Sequence, residues 1–368
     1  MNPASAQLAT PSGRPRARAL GIPFAGVPGP RNDITDIAGA EVGFVTLRED
    51  VARGRAAPAA VRTGVTAVFP RGRERAGAAV LAGYARLNGN GELTGTAWVR
   101  EHGWFTGPVV LTNTNSVGVA RDTTARWLLD RFPMLGVIPV AGETWDGLLN
   151  DINGFHVTSE HVRMALDGAR AEPIEQGSVG GGTGMVCYEL KGGTGSASRA
   201  VAAAAGEWTV GVLLQTNFGN RRQLTIAGVP MWPHLRDGLI WGRDYGSVIA
   251  VVLTDAPLLG GQLERLARRV GLGLARTGAI GGAESGDLFL AASTANDGVV
   301  ETPGVRSFAV LHDDEMDPLL AGVVYATEEA VLDSLVVNEP MTGAGGREVM
   351  ALPHARVVEL LRQHRVVP

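Results

Sequence analysis

The chain has 368 residues, 45% of them hydrophobic and 19% charged, enough to bury a substantial core, which excludes a disordered or fibrous chain. A formal charge of -4 at pH 7 and an isoelectric point near 6.0 give no overall attraction to nucleic acid or to an anionic membrane surface. The single cysteine, Cys187, excludes an internal disulfide and reads as a small buried hydrophobe.

Fifty-one glycines, about twice the usual share, predict tight turns, close backbone approaches and an α/β protein rich in sites made from backbone. The opening MNPASAQLATPSGRPRARAL lacks the apolar segment of a secretory signal, and no apolar run has the length of a membrane span. Residues 1–20 are therefore expected to form a disordered basic tail on a cytoplasmic protein, and residues 21–368 a single domain.

Strands are expected at Glu41 to Leu47 and over residues 64–70, followed by an apolar stretch closed by the turn dipeptide Asn88-Gly89. TAWVREHGWFTG reads as a short helix, PVVLTNT as a strand and residues 121–131 as a helix, before FPMLGVIPVAGETWDG returns to extended chain and loop. Two Gly-Thr-Gly clusters flank the strand-like MVCYEL. They contain neither G-x-x-x-x-G-K-[ST] nor a complete G-x-G-x-x-G between strand and helix, so turns and close packing are the reading, rather than a phosphate cradle. A strand over residues 208–216 ends at Asn217-Phe218-Gly219. The run VIAVVL after Gly246-Ser247 reads as a buried strand entered from the tight turn DYGS. An amphipathic helix in GQLERLARRVGLGLARTG follows, then a strand in SGDLFLAASTAN and helices over 317–338 and 353–365. Neither a repeat nor a linker interrupts this alternation of strands and helices, as befits one compact domain.

The histidines do not assemble a site. His156 and His161 stand five residues apart, which does not put both rings on one helical face, and no G-x-S-x-G elbow supports a histidine-based serine triad. A serine nucleophile without histidine needs another base, and its own α-amine is one physical solution. With a pKa of about 7.7 to 8.0, such an amine is partly unprotonated at neutral pH. The device requires a chain break before the serine. Gly246 suits that break, because a residue without Cβ tolerates strained backbone and leaves its carbonyl open to the Ser247 hydroxyl.

Stretches spread from about residue 20 to residue 355 resemble one family in a single order. They include PGPRNDITDIAGAEVG, RTGVTAVFPRG, LNGNGELTG, LTNTNSVG, ETWDGLLNDINGFHV, GTGMVCYELKGGTGSASR, LLQTNFGN, DYGSVIAVVLTDAPL, ESGDLFLAASTAN and MTGAGGREVMALP. The family is that of the L-aminopeptidase/D-Ala-esterase and the β-peptidyl aminopeptidases, an N-terminal-nucleophile-like group. The resemblance implies a four-layer α/β/β/α sandwich and a precursor that cuts itself between Gly246 and Ser247 into pieces 1–246 and 247–368. It implies a serine aminopeptidase, amidase or esterase acting through an acyl-enzyme on peptides, amides or esters with a free amino terminus. It further implies a homotetramer needing neither metal nor organic cofactor.

Residue by residue, Ser247 matches the nucleophile and Asn217 the amide that helps hold the oxyanion. Ser285 and Asp287 match the hydroxyl and acid that orient the nucleophile, Asp being shorter than the Glu of some relatives. Trp145 stands where the best-described members carry a tyrosine; an indole donates but does not accept, so it is expected to wall the substrate pocket. Phe218, after Asn217, is expected to line the same pocket, and Glu143, Asp146 and Asn150 offer polar contacts that the sequence does not place. Two alternatives stay open: acyl transfer like that of the ornithine acetyltransferases, which share the fold but use a threonine, and an uncleaved binding protein on the same scaffold.

Overall fold

The computed structural model describes residues 3–53, 56–133, 136–240 and 246–367. Apolar and β-branched runs, with one strand of small residues, build two main sheets. The smaller orders its strands Glu41–Arg53, Ala56–Phe69, Val109–Asn113 and Val140–Thr144. The larger runs Trp104–Thr106, Ala79–Gly89, Gly286–Ser293, Ser247–Thr254, Gly206–Asn217 and Gly193–Ala203. The Ser247 strand lies inside the larger sheet, antiparallel to the Asn217 strand and parallel to Gly286–Ser293. Every one of its side chains is buried, which explains an unbroken apolar run in place of alternation.

The two-residue alternation of that strand sets the layers. Ile249, Val251 and Leu253 pack with Val68, Leu111 and Val140 of the smaller sheet, so they face the space between the sheets. Val248, Ala250 and Val252 pack with Leu263 and Val270 of helix Gly260–Arg276 and with Leu319 and Val323 of helix Asp317–Val336. Outside the smaller sheet, Ala67, Phe69 and Val110 meet Trp127 and Leu128 of helix Val117–Arg131 and Val162 and Leu166 of helix Ser159–Asp167. The result is the expected α/β/β/α sandwich, in which each fully buried large apolar side chain contributes roughly 1.5–3 kcal/mol. Among the described residues, no helix is long and apolar enough to cross a membrane.

Three readings need correction. The tail expected to be disordered is packed on the domain, with Ala6, Thr10, Arg16 and Ala17 buried. Arg16 is buried, and its guanidinium donates to Asp333 Oδ2 at 2.6 and 2.8 Å and to the carbonyls of Ala6 and Asn32 at 2.9 and 2.7 Å. A basic residue that finds a buried carboxylate and several carbonyls no longer requires water, so the segment docks. The second Gly-Thr-Gly cluster is not a turn. It opens the strand Gly193–Ala203, where a Cβ at Gly195 would overlap the Ala330 carbonyl of the covering helix; close packing was the correct half of that reading. Finally, MVCYEL is not one strand but a hairpin of Val186–Cys187 with Leu190–Lys191, turning through Tyr188 and Glu189 at φ of 53° and 58°. The two histidines are structural: Thr158 N-H donates to His161 Nδ1 at 3.1 Å in a helix cap, and His156 Nε2 lies 2.9 Å from Asp151 Oδ2.

Candidate active site

Ser247 begins its strand, and its Cα pairs with Asn217 on one side and Gly286 on the other. By alternation its side chain belongs to the face turned towards the smaller sheet. There it opens on a cavity of about 680 Å³, which Gly246, Glu143 and Trp145 also line. Ser247 is only 4% exposed, and its Oγ has no hydrogen-bond partner among the described residues. A buried hydroxyl without a partner is uncommon, because forgoing its water costs about 1–3 kcal/mol. Asp244 and Tyr245, the first half of the expected turn, lie outside the described residues.

Gly246 is demanded by space: a Cβ there would overlap the Asn217 carbonyl oxygen. Its own carbonyl accepts from Gly286 N-H at 3.2 Å, which draws electron density away from the carbon one bond from Ser247 N. Asn217 is fixed at both ends of its amide. Its Oδ1 accepts from Val186 N-H at 2.9 Å, and its Nδ2 donates to the Trp145 carbonyl at 2.8 Å. One of the two Nδ2 hydrogens is thereby committed. Trp145 itself is 43% exposed and forms part of the cavity wall.

Ser285 and Asp287 come together, but on the other face. Ser285 Oγ donates to Asp287 Oδ1 at 2.6 Å and Asn88 Nδ2 to Asp287 Oδ2 at 2.9 Å. Both line a small cleft with Gly271 and Leu274 of helix Gly260–Arg276. Phe218 lies in that cleft too, edge-on to Tyr188 with ring centroids 5.3 Å apart, and not in the larger cavity. The expectation that it lines the substrate pocket is therefore corrected. The strand ends at Asn217, and the chain turns Phe218 into that cleft while the Asn217 amide reaches Val186 N-H and the Trp145 carbonyl.

The site has parts that motif reading left unplaced. Glu143 is buried; its Oε1 accepts from Glu92 N-H at 2.8 Å and its Oε2 from Thr114 Oγ1. Burial pushes its carboxyl above the usual range, the two hydrogen bonds pull it back, and the neighbouring Glu92 charge adds to the rise. Asp146 is buried next to Trp145; burial pushes its carboxyl up to about 7 against hydrogen bonds from Thr63 and Asn150, and its Oδ2 has no partner among the described residues. The Cys187 hairpin is the scaffold behind these groups. Besides Val186 N-H, it supplies Glu189 Oε2 to Ile240 N-H at 2.6 Å and the Tyr188 carbonyl to Arg221 Nε at 2.7 Å. Beneath it the buried Lys191 amine donates to the carbonyls of Met185 and Gly192 at 2.8 and 2.6 Å, and burial pushes its pKa well below the ordinary value.

A serine at the head of a central strand, a glycine before it and a two-sheet sandwich define an N-terminal-nucleophile-type hydrolase. Residues 32–349 match peptidase family S58, and the chain belongs to that family. It is 45% identical to the β-peptidyl aminopeptidase BapA of Sphingosinicella microcystinivorans, over 95% of this chain and 93% of the relative. The BapA of Sphingosinicella xenopeptidilytica is 42% identical over 95% and 91%. Among solved structures, the L-aminopeptidase D-Ala-esterase/amidase of Ochrobactrum anthropi, described as a variant among the Ntn hydrolase folds, superposes with a TM-score of 0.91. It shares 44% identity and covers 96% of this chain and 100% of its own. A Burkholderia β-aminopeptidase gives 0.87 at 42% identity, over 95% and 98%. The protein is thus a hydrolase of the peptidase class, which leaves aside the binding-scaffold and acetyl-transfer alternatives.

Proposed function

We propose that the chain is a self-processing serine aminopeptidase in which Ser247 serves twice. The observation that carries this reading is the buried, unpartnered Ser247 Oγ, one residue after a glycine whose carbonyl is polarised by Gly286 N-H. In the precursor, Ser247 Oγ adds to the Gly246 carbonyl carbon, the C-N bond breaks, and the hydroxyl proton passes to the departing nitrogen. Water then hydrolyses the resulting ester, leaving a carboxylate on Gly246 and a free α-amine on Ser247. That amine, near its pKa at neutral pH, takes the Ser247 hydroxyl proton when the same oxygen attacks a substrate carbonyl. An acyl-enzyme forms, the leaving amine or alcohol departs with a proton, and water frees the acid.

Asn217 supports the tetrahedral oxygen through its remaining Nδ2 hydrogen, and Ser285 with Asp287 orients the new amine across the backbone of residue 286. The buried Glu143 carboxylate, on the same cavity as Ser247, is the counter-charge for the amino group of the substrate. The relatives named above support small amino-terminal amides, esters and β-peptides as the substrate class. The resemblance supports an assembly of four chains, which light scattering checks. One buried, unbridged cysteine suits the reducing cytoplasm, to be checked by cell fractionation.

The decisive measurement is an intact mass of the wild type beside its Ser247→Ala and Gly246→Ala variants, with N-terminal sequencing. The wild type is expected as two pieces, the second starting Ser-Val-Ile, and both variants as one uncut chain. A wild type that stays whole after long incubation sinks the reading.

A further inference from the structure

Among the described residues, the cavity beside Ser247 presents more carboxylates than one substrate amino group can answer. Three carboxylates line it, those of Glu92, Glu143 and Glu284, and no lysine, arginine or histidine does so among the described residues. They belong to one wall. Glu92 N-H donates to Glu143 Oε1 at 2.8 Å, and Asn90 Nδ2 donates to the Glu284 carbonyl at 2.7 Å, which ties the Asn90–Glu92 turn to the Glu284 loop. Their surroundings differ. Glu143 is buried with both oxygens hydrogen-bonded, whereas the Glu92 and Glu284 side chains are exposed, and no described residue pairs with either carboxylate. Below them the buried, unpartnered Ser247 Oγ is aimed into the same space. Trp145 offers an apolar surface between.

We propose that this pocket selects an amino-terminal residue bearing a second cation: lysine, ornithine, arginine or a β-homologue of these. The inference rests on the function proposed above and names the substrate class of that site. The main-chain ammonium faces Glu143, the aliphatic stem lies along Trp145, and the side-chain cation meets Glu92 and Glu284 at the mouth. A cavity of about 680 Å³ falls within the usual range for small-molecule sites and accommodates a residue of that length. The attraction at the mouth is solvent-exposed, so it is modest and sensitive to salt.

The test reads binding apart from catalysis. Lysinamide and norleucinamide have the same stem and differ by the terminal ammonium. Their dissociation constants are measured by calorimetry on the Ser247→Ala chain, at low salt and in 1 M sodium chloride. Lysinamide is expected to bind roughly tenfold more tightly at low salt, two exposed carboxylates acting on one cation. The ratio shrinks towards one at high salt, and also when Glu92→Gln and Glu284→Gln are added together. Equal or undetectable binding of the two amides overturns the inference, as does a ratio that survives the double substitution. Because that chain lacks the nucleophile, failure of the catalytic reading appears separately, as a wild type that stays uncut and hydrolyses neither amide.

Discussion

Two clusters of buried polar groups in the interior are treated in opposite ways. On helix Asp317–Val336, Asp333 accepts from Arg16 Nε and Nη2, Glu329 accepts from Arg18 at 2.6 and 2.7 Å, and Arg199 Nη2 reaches Glu329 Oε2 at 2.7 Å. Burial would raise the Glu329 carboxyl, but the hydrogen bond from Arg18 and the charges of Arg199, Arg18 and Arg16 hold it below the usual range. Around the Ser247 strand end, by contrast, Ser247 Oγ and Asp146 Oδ2 are buried with no partner among the described residues. Pairing serves cohesion in the first cluster; in the second, Ser247 Oγ is left open to the cavity. A missing partner alone is no mark of function, since Thr327 Oγ1 of helix Asp317–Val336 also has none among the described residues. The paired cluster also spans the proposed cut, since its arginines lie in residues 1–246 and its acids in residues 247–368.

The largest effect that tests this contrast is on stability. Asp333→Ala strands the buried Arg16 guanidinium and is expected to cost about 3–5 kcal/mol, read from urea unfolding. Asp333→Leu combined with Arg16→Met removes both charges and should cost clearly less than the single change. If the two cost the same, the cluster holds by shape and not by pairing. Next is Asn217→Ala at the site, expected to slow turnover roughly a hundredfold with little change in unfolding midpoint if the amide meets the oxyanion. Near-normal turnover would reduce Asn217 to a bracket between Val186 and Trp145.

How much of this was legible in the sequence depends on whether the signal was local. The Ser247 strand and helix Gly260–Arg276 could be read because β-branched runs and helical apolar spacing are properties of neighbouring residues. The strand Gly193–Ala203 was hidden by its Gly and Ser content, for its small residues answer to helix Asp317–Val336, more than a hundred positions away. The tail was misread for the same reason: Arg16 looks solvated until Asp333 is placed beside it. Phe218 follows the last residue of its strand, so no local periodicity told that it enters the cleft of Ser285 and Asp287. Glu92 and Glu284 stand in two separate stretches, LNGNGELTG and ESGDLFLAASTAN, and only the meeting of two loops makes them one wall. The layer order came from the resemblance alone, and the pairing of faces across the two sheets is what establishes it.

A pH-dependent effect, vanishing near pH 4, sharpens the other half of the contrast. Asp146 keeps its proton in the folded protein up to about pH 7, because burial raises its carboxyl from the ordinary 3.8. The unfolded chain gives that proton up from about pH 4 onwards. Between those values the folded state binds more protons than the unfolded one, so this group makes stability fall as pH rises, by at most about 1.4 kcal/mol per pH unit. Below about pH 4 both states are protonated and the penalty is absent. Asn in its place cannot ionise and still offers an oxygen to the Asn150 amide that now reaches Asp146 Oδ1 at 3.0 Å. Asp146→Asn is therefore expected to match the wild type in melting temperature near pH 4 and to exceed it progressively up to pH 7. Parallel curves over that window would mean that Asp146 ionises freely in the fold, and that its unpartnered oxygen is not a strained one.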